Sequence, residues 1–126
     1  MGSRIKIYFD GGCRPNPGRM EVAVVVQGKV RIFDLGEGAS MDAEWHALVA
    51  AQRVASDLGL ASSTYVLLGD AAAVIAQATG GHRCRGSGAA HLAVLHEMTG
   101  GVAPPIRYIK RSQNLAGIAL ARRAGR

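Results

Sequence analysis

Three acidic residues occupy places where an acid is costly. Asp10 closes the alternating run Arg4–Asp10, directly before Gly11 and Gly12. Asp70 closes the apolar run that begins at Tyr65, directly before a helical stretch. Glu44 lies one helical turn ahead of the stripe Ala47, Leu48, Ala51, Val54, Ala55 and Leu58, so it points toward the packed side of its helix. A carboxylate there is destabilising unless it is paired or bound to a metal. Each acid also has an ordinary reading: Asp10 as a turn former, Asp70 as a helix cap, Glu44 as a half-solvated first-turn residue. These readings weaken if the fold brings the three together. Neighbouring first and fourth strands would place Asp10 and Asp70 at one sheet end, with the first helix starting over them. Like charges so crowded call for a cation, and oxygen-only ligands select magnesium or manganese.

The elements that must position them are legible in pattern. Ile5, Ile7 and Phe9 alternate with Lys6, Tyr8 and Asp10, which is a strand over 4–10. Gly11 to Gly18 has the composition of a loop. Strands follow over 20–27 and 30–35 around the tight turn Gly28-Lys29, giving an antiparallel meander. A helix is expected over 41–58, with Ser40 as N-cap and Gly59 as its stop. A fourth strand over 65–68, helices over 71–78 and 89–98, a strand over 106–110 and a helix over 113–124 complete the chain. The order βββαβααβα implies an α/β fold: a mixed five-stranded sheet, its last two strands reached by crossovers, with helices on both faces.

The chain has 126 residues and 48% hydrophobic composition, which fits one domain over 1–126 with a real core. Fifteen Lys and Arg against nine Asp and Glu give a net charge of +6, a balance that favours polyanion partners. No apolar run is long enough to span a membrane, and the start lacks the order of a signal peptide, so the expectation is a cytoplasmic protein. Cys13 and Cys84 form no CxxC pair and read as reduced thiols.

The motifs resemble type 1 ribonucleases H. IYFDGGCRPNPG over 7–18 resembles the family's opening strand and loop, with Asp10 as its first aspartate. MDAEWHAL over 41–48 resembles the helix that supplies its glutamate, here Glu44. LLGDAAAVIAQATG over 67–80 resembles the segment that supplies its second aspartate, here Asp70. NLAGIALAR over 114–122 resembles its final helix. The departures are specific. The family's fourth carboxylate, in the first turn of the last helix, has no counterpart, since no acid follows Glu97. The basic handle of some members and the histidine-bearing loop before the last helix are absent, and Ala72 replaces a glutamine-like side chain.

The resemblance implies an endonuclease that hydrolyses the RNA strand of an RNA–DNA hybrid with two Mg2+ or Mn2+ ions. Asp10 would bridge the ions, Glu44 would hold the leaving-group ion and Asp70 the nucleophile-side ion. Asn114, the nearest oxygen donor on the last helix, is expected as a stand-in fourth catalytic and metal ligand, with helix capping as its alternative. Gly11, Gly12 and Cys13 are expected to let the hybrid approach closely, Asn16 and Ser40 to hydrogen-bond 2′-hydroxyls, and Arg111 either to hold a phosphate or to be a solvated strand-end charge. Arg83 and Arg85 could track the DNA strand or be solvated. His46, His82, His91 and His96 show no ligand spacing, and Trp45 is expected to cover the helix end. The chain is expected to be a monomer with the hybrid as partner and no membrane. Two alternatives are a binding module of this fold with impaired catalysis, and another nuclease of the superfamily.

Overall fold

The computed structural model describes residues 3–80 and 83–125. Five strands are present: β1 Ile5–Arg14, β2 Gly18–Val26, β3 Lys29–Gly38, β4 Tyr65–Gly69 and β5 Ile106–Tyr108. The helices are α1 Ser40–Asp57, α2 Ala72–Ala78, α3 Ser87–Thr99 and α4 Leu115–Arg123, with a 3-10 turn at Arg111–Gln113. The sheet runs β3-β2-β1-β4-β5. The meander pairs are antiparallel, and β1–β4 and β4–β5 are parallel. This is the mixed sheet that the element order implied.

Alternation on β1 assigns the two faces. Ile7 and Phe9 are sealed in the larger core with Trp45, Leu48, Leu67, Val74 and Leu95, beneath α1, α2 and α3. Tyr8 belongs to the smaller core of the other face, where Ala23, Val25, Ala116 and Leu120 dock α4. Trp45 is fully buried, and its indole N–H donates to Gln77 Oε1 at 3.1 Å, so it is a core residue and not a cover for the helix end. Leu58 leaves the expected stripe; it is the C-cap of α1 and is exposed. Gly59 follows it at φ +68, the left-handed stop expected there.

Two boundary corrections bear on the site. β1 does not end at Asp10: Gly11, Gly12, Cys13 and Arg14 continue it, pairing with Val22, Glu21, Met20 and Arg19. Glycine composition disguised a strand as a loop. Ser40 is not a cap: it is the first residue of α1, and Ala39 at the cap position makes no side-chain cap hydrogen bond. The cap comes from a distant turn. Asn16 Oδ1 accepts the Ser40 backbone N–H at 3.0 Å, and Asn16 Nδ2 donates to Ser40 Oγ at 3.1 Å.

Candidate active site

The start of α1 is pressed onto β1 at one glycine. A Cβ at Gly11 would lie 2.1 Å from the Ala43 carbonyl oxygen, so any side chain there would push the first turn away. That contact brings Glu44 to the end of the sheet. Parallel pairing of β1 with β4, in register Tyr8 with Leu68, brings Asp70 to the same end as Asp10. The three carboxylates line one cavity of about 560 Å³ together with Gly11, Gly12, Cys13, Glu21 and Arg111, and Gly117 and Ile118 of α4 form its opposite wall.

The electrostatics carry the mark of crowding. Burial, then Asp70, then Glu44 push the Asp10 carboxyl up to about 7, against the pull of Arg111 and a hydrogen bond from the Gly11 N–H. Burial and Asp70 also raise Glu44, again opposed by Arg111. Asp70 Oδ2 is buried and has no hydrogen-bond partner among the described residues. A buried carboxylate oxygen with no donor is expensive, and a bound cation would satisfy it. The residues therefore fit a hard divalent ion. Among the described residues no three acidic, histidine or cysteine groups already close on a single point.

The ordinary readings of the acids can be weighed against this geometry. Asp10 lies within a strand opposite Ala23 and forms no turn. Asp70 does not cap α2, whose cap position is Ala71, without a side-chain cap bond. Glu44 is half-buried at the cavity rim.

Asn114 departs from expectation. It is 0% exposed and does not line the cavity. Its Oδ1 accepts the Ala116 N–H at 3.1 Å as the N-cap of α4, and its Nδ2 donates to the Phe9 carbonyl at 3.0 Å. Both ends of the amide are committed, so the expected metal-ligand role is corrected to a cap that also pins α4 to β1. Gly117 and Ile118, α4 residues that line the cavity, carry no side-chain oxygen; a Cβ at Gly117 would stand 3.3 Å from Asp10 Oδ2.

Arg111 is exposed at the cavity and close enough to lower both Asp10 and Glu44. Asn16 and Ser40 bond each other outside the cavity lining. Cys13 is a half-buried free thiol whose Sγ donates to the Gly38 carbonyl at 3.0 Å, and Cys84 is also free. Arg83 and Arg85 are exposed and do not line the cavity. His91 pairs with Asp42 at 3.1 Å, stacks on Trp45 and meets His46 edge-on, while His82 lies outside the described residues. Sequence reasoning missed Glu21. Its signal was an acid inside the apolar strand MEVAVVV.

No helix among the described residues is long and apolar enough to cross a membrane. No protein-family model matches the chain. A curated relative, Ribonuclease HI of Halobacterium salinarum, is 38% identical over 85 residues, 63% of this chain and 42% of that protein, so the match spans less than half of the relative's length. The solved structure of RNase H1 from the halophilic archaeon Halobacterium salinarum NRC-1 is similar at a TM-score of 0.79, with 28% identity and 94% of each chain covered. LC11-RNase H1, solved in complex with an RNA/DNA hybrid, superposes at 0.81 with 23% identity over 93% of each chain. The N-terminal RNase H domain of a Mycobacterium tuberculosis protein superposes at 0.75 with 21% identity, covering 98% of this chain and 99% of that one.

Proposed function

We propose that the chain is a type 1 ribonuclease H, an endonuclease hydrolysing the RNA strand of RNA–DNA hybrids, as its likeness to Ribonuclease HI and RNase H1 of Halobacterium salinarum supports. The observation that carries the reading is the convergence of Asp10, Glu44 and Asp70 on one cavity, with an orphaned buried oxygen on Asp70. Asp10, Glu44 and Asp70 would hold two Mg2+ or Mn2+ ions, which when bound supply an activated water and stabilise the leaving oxygen.

The protein's own groups prepare the substrate. Gly11 and Gly12 line the cavity with backbone only: Gly11 lets α1 close onto the strand at Ala43, and Gly12 leaves the strand wall beside the acids without a side chain. Arg111 lies where a guanidinium can hold a phosphate beside the three carboxylates and offset part of their charge. Cys13 lies on the same strand wall, held by its bond to Gly38. Asn16 and Ser40 are placed at the start of α1, where their polar atoms can exchange partners with 2′-hydroxyls of the RNA strand. We take the working unit to be a cytoplasmic monomer of one domain.

The test is cleavage of a labelled hybrid, duplex DNA and double-stranded RNA, each with magnesium or manganese. Cuts confined to the RNA strand of the hybrid, and abolished by chelation, support the reading. The α4 wall without an acid favours a second reading, a module that binds hybrid and does not cut it; binding without cleavage under either metal would select it.

A further inference from the structure

We propose that Glu21 of β2 supplies this site with the carboxylate that α4 lacks, binding a hydrated divalent cation alongside Asp10. The inference rests on the metal-dependent reading above. The geometry begins with register. Asp10 pairs with Ala23 and Gly12 with Glu21, so the four side-chain positions share the face of the sheet that α4 covers. Glu21 is a diagonal neighbour of Asp10 there, about 7–8 Å away between backbones and within reach of a long side chain. Glu21 lies against this position: its Cγ is 4.0 Å from where a Cβ at position 12 would stand, an ordinary packing distance. The pairing of β2 with β3 breaks register between Arg19 and Glu21, an irregularity of the kind that re-aims a side chain beside a site.

The opposite wall cannot do this work. Gly117 and Ile118 present no side-chain oxygen, and Asn114 is buried with both amide atoms bonded. Glu21 and Asp10 line the same cavity from neighbouring strands, and a carboxylate at that diagonal position suits holding an ion through one of its waters.

A purely structural role is the competing account, because Arg123 of α4 approaches Glu21 at 3.8 Å. Arg123 makes its short contact elsewhere, with Asp34 at 2.7 Å.

The experiment is titration of the protein, without nucleic acid, with Mn2+ alone, read by the electron paramagnetic resonance of the free ion. Glu21→Gln should weaken Mn2+ binding about tenfold, the scale of lost outer-shell partners, and leave the metal-free melting temperature unchanged. Arg123→Ala should bind Mn2+ like the parent. Parental binding by Glu21→Gln, beside weakened binding by Asp10→Asn, overturns the role of Glu21 and leaves the nuclease reading intact. Equal weakening by Arg123→Ala also overturns it, since Glu21 would then act through α4. Parental binding by Asp10→Asn sinks the metal reading itself, and Glu21 with it. If Glu21→Gln fails to fold, Glu21→Asp retains the charge one methylene back, and a partial loss of affinity gives the same answer.

Discussion

The two walls of the cavity are built in opposite ways. The wall of β1, β4 and α1 carries three acids, and behind it lies the larger core, with Phe9, Trp45, Leu48 and Leu67 sealed from water. The α4 wall carries no acid, and behind it lie mainly small residues, Ala23, Val25, Ala116 and Leu120. The repelling carboxylates stand on elements anchored in the larger core. The α4 wall is held to the sheet by the smaller core, by the Asn114 amide and by the Arg123–Asp34 ion pair at the surface.

That contrast can be broken in four ways, from the largest effect down. Asp10→Asn should cut hybrid cleavage by at least about a thousandfold, as loss of a central catalytic group does. It should also hold or raise the metal-free melting temperature by relieving repulsion. Cleavage at the parental rate would remove the acidic wall from the chemistry. Next, Asn114→Ala should destabilise the fold by about 2–4 kcal/mol, combining a lost cap with an unpaired buried Phe9 carbonyl. Asn114→Asp, which loses the Nδ2 donor and buries a charge, should destabilise too and gain no Mn2+ affinity. Denaturant melts check both, and parental stability would show that α4 is not pinned there.

Gly11→Ala comes third. Its added methyl meets backbone at Ala43, so the first turn of α1 must retreat, at about 1–3 kcal/mol. Mn2+ affinity should fall as Glu44 withdraws, and unchanged affinity would show that α1 is not seated by this contact. The fourth test is the pH dependence of the metal-free protein, read as a gradual slope and not as a single loss. Asp10 titrates at about 7 in the fold against an ordinary 3.8, so its contribution to stability is complete below 3.8 and is lost as pH rises through 7. Glu44, also raised, acts in the same direction. Melting temperature should therefore fall between pH 4 and 8, as a scan of melts will read, and the slope should flatten in Asp10→Asn. A flat parental profile would mean that the acids are not crowded.

Element order, sheet topology and the convergence of Asp10, Glu44 and Asp70 were legible because each rests on local pattern plus a topological rule. What escaped depends on contacts between distant residues. Gly11 to Cys13 resembles a loop in composition, and only pairing with β2 makes it strand. Ser40 has the right chemistry for a cap, but Asn16 supplies the bond from a turn far away in sequence. Asn114 was open between two roles because the first strand's carbonyl, which settles where its amide points, is 105 positions away. Glu21 broke an apolar pattern in plain sight, yet its face follows only from the register of β2 on β1.

The bond from Asn114 to the Phe9 carbonyl also has a meaning for how the molecule comes into being. Synthesis lays down the central strand first, and its parallel neighbour β4 emerges only after α1. All three acids therefore exist in the growing chain well before the residue that fastens the far wall. A nascent chain can own every catalytic side chain and still lack a closed groove to aim them with. On the proposed nuclease reading, a chain truncated before Asn114 would keep all three acids and lose the bond that fastens the far wall of the groove.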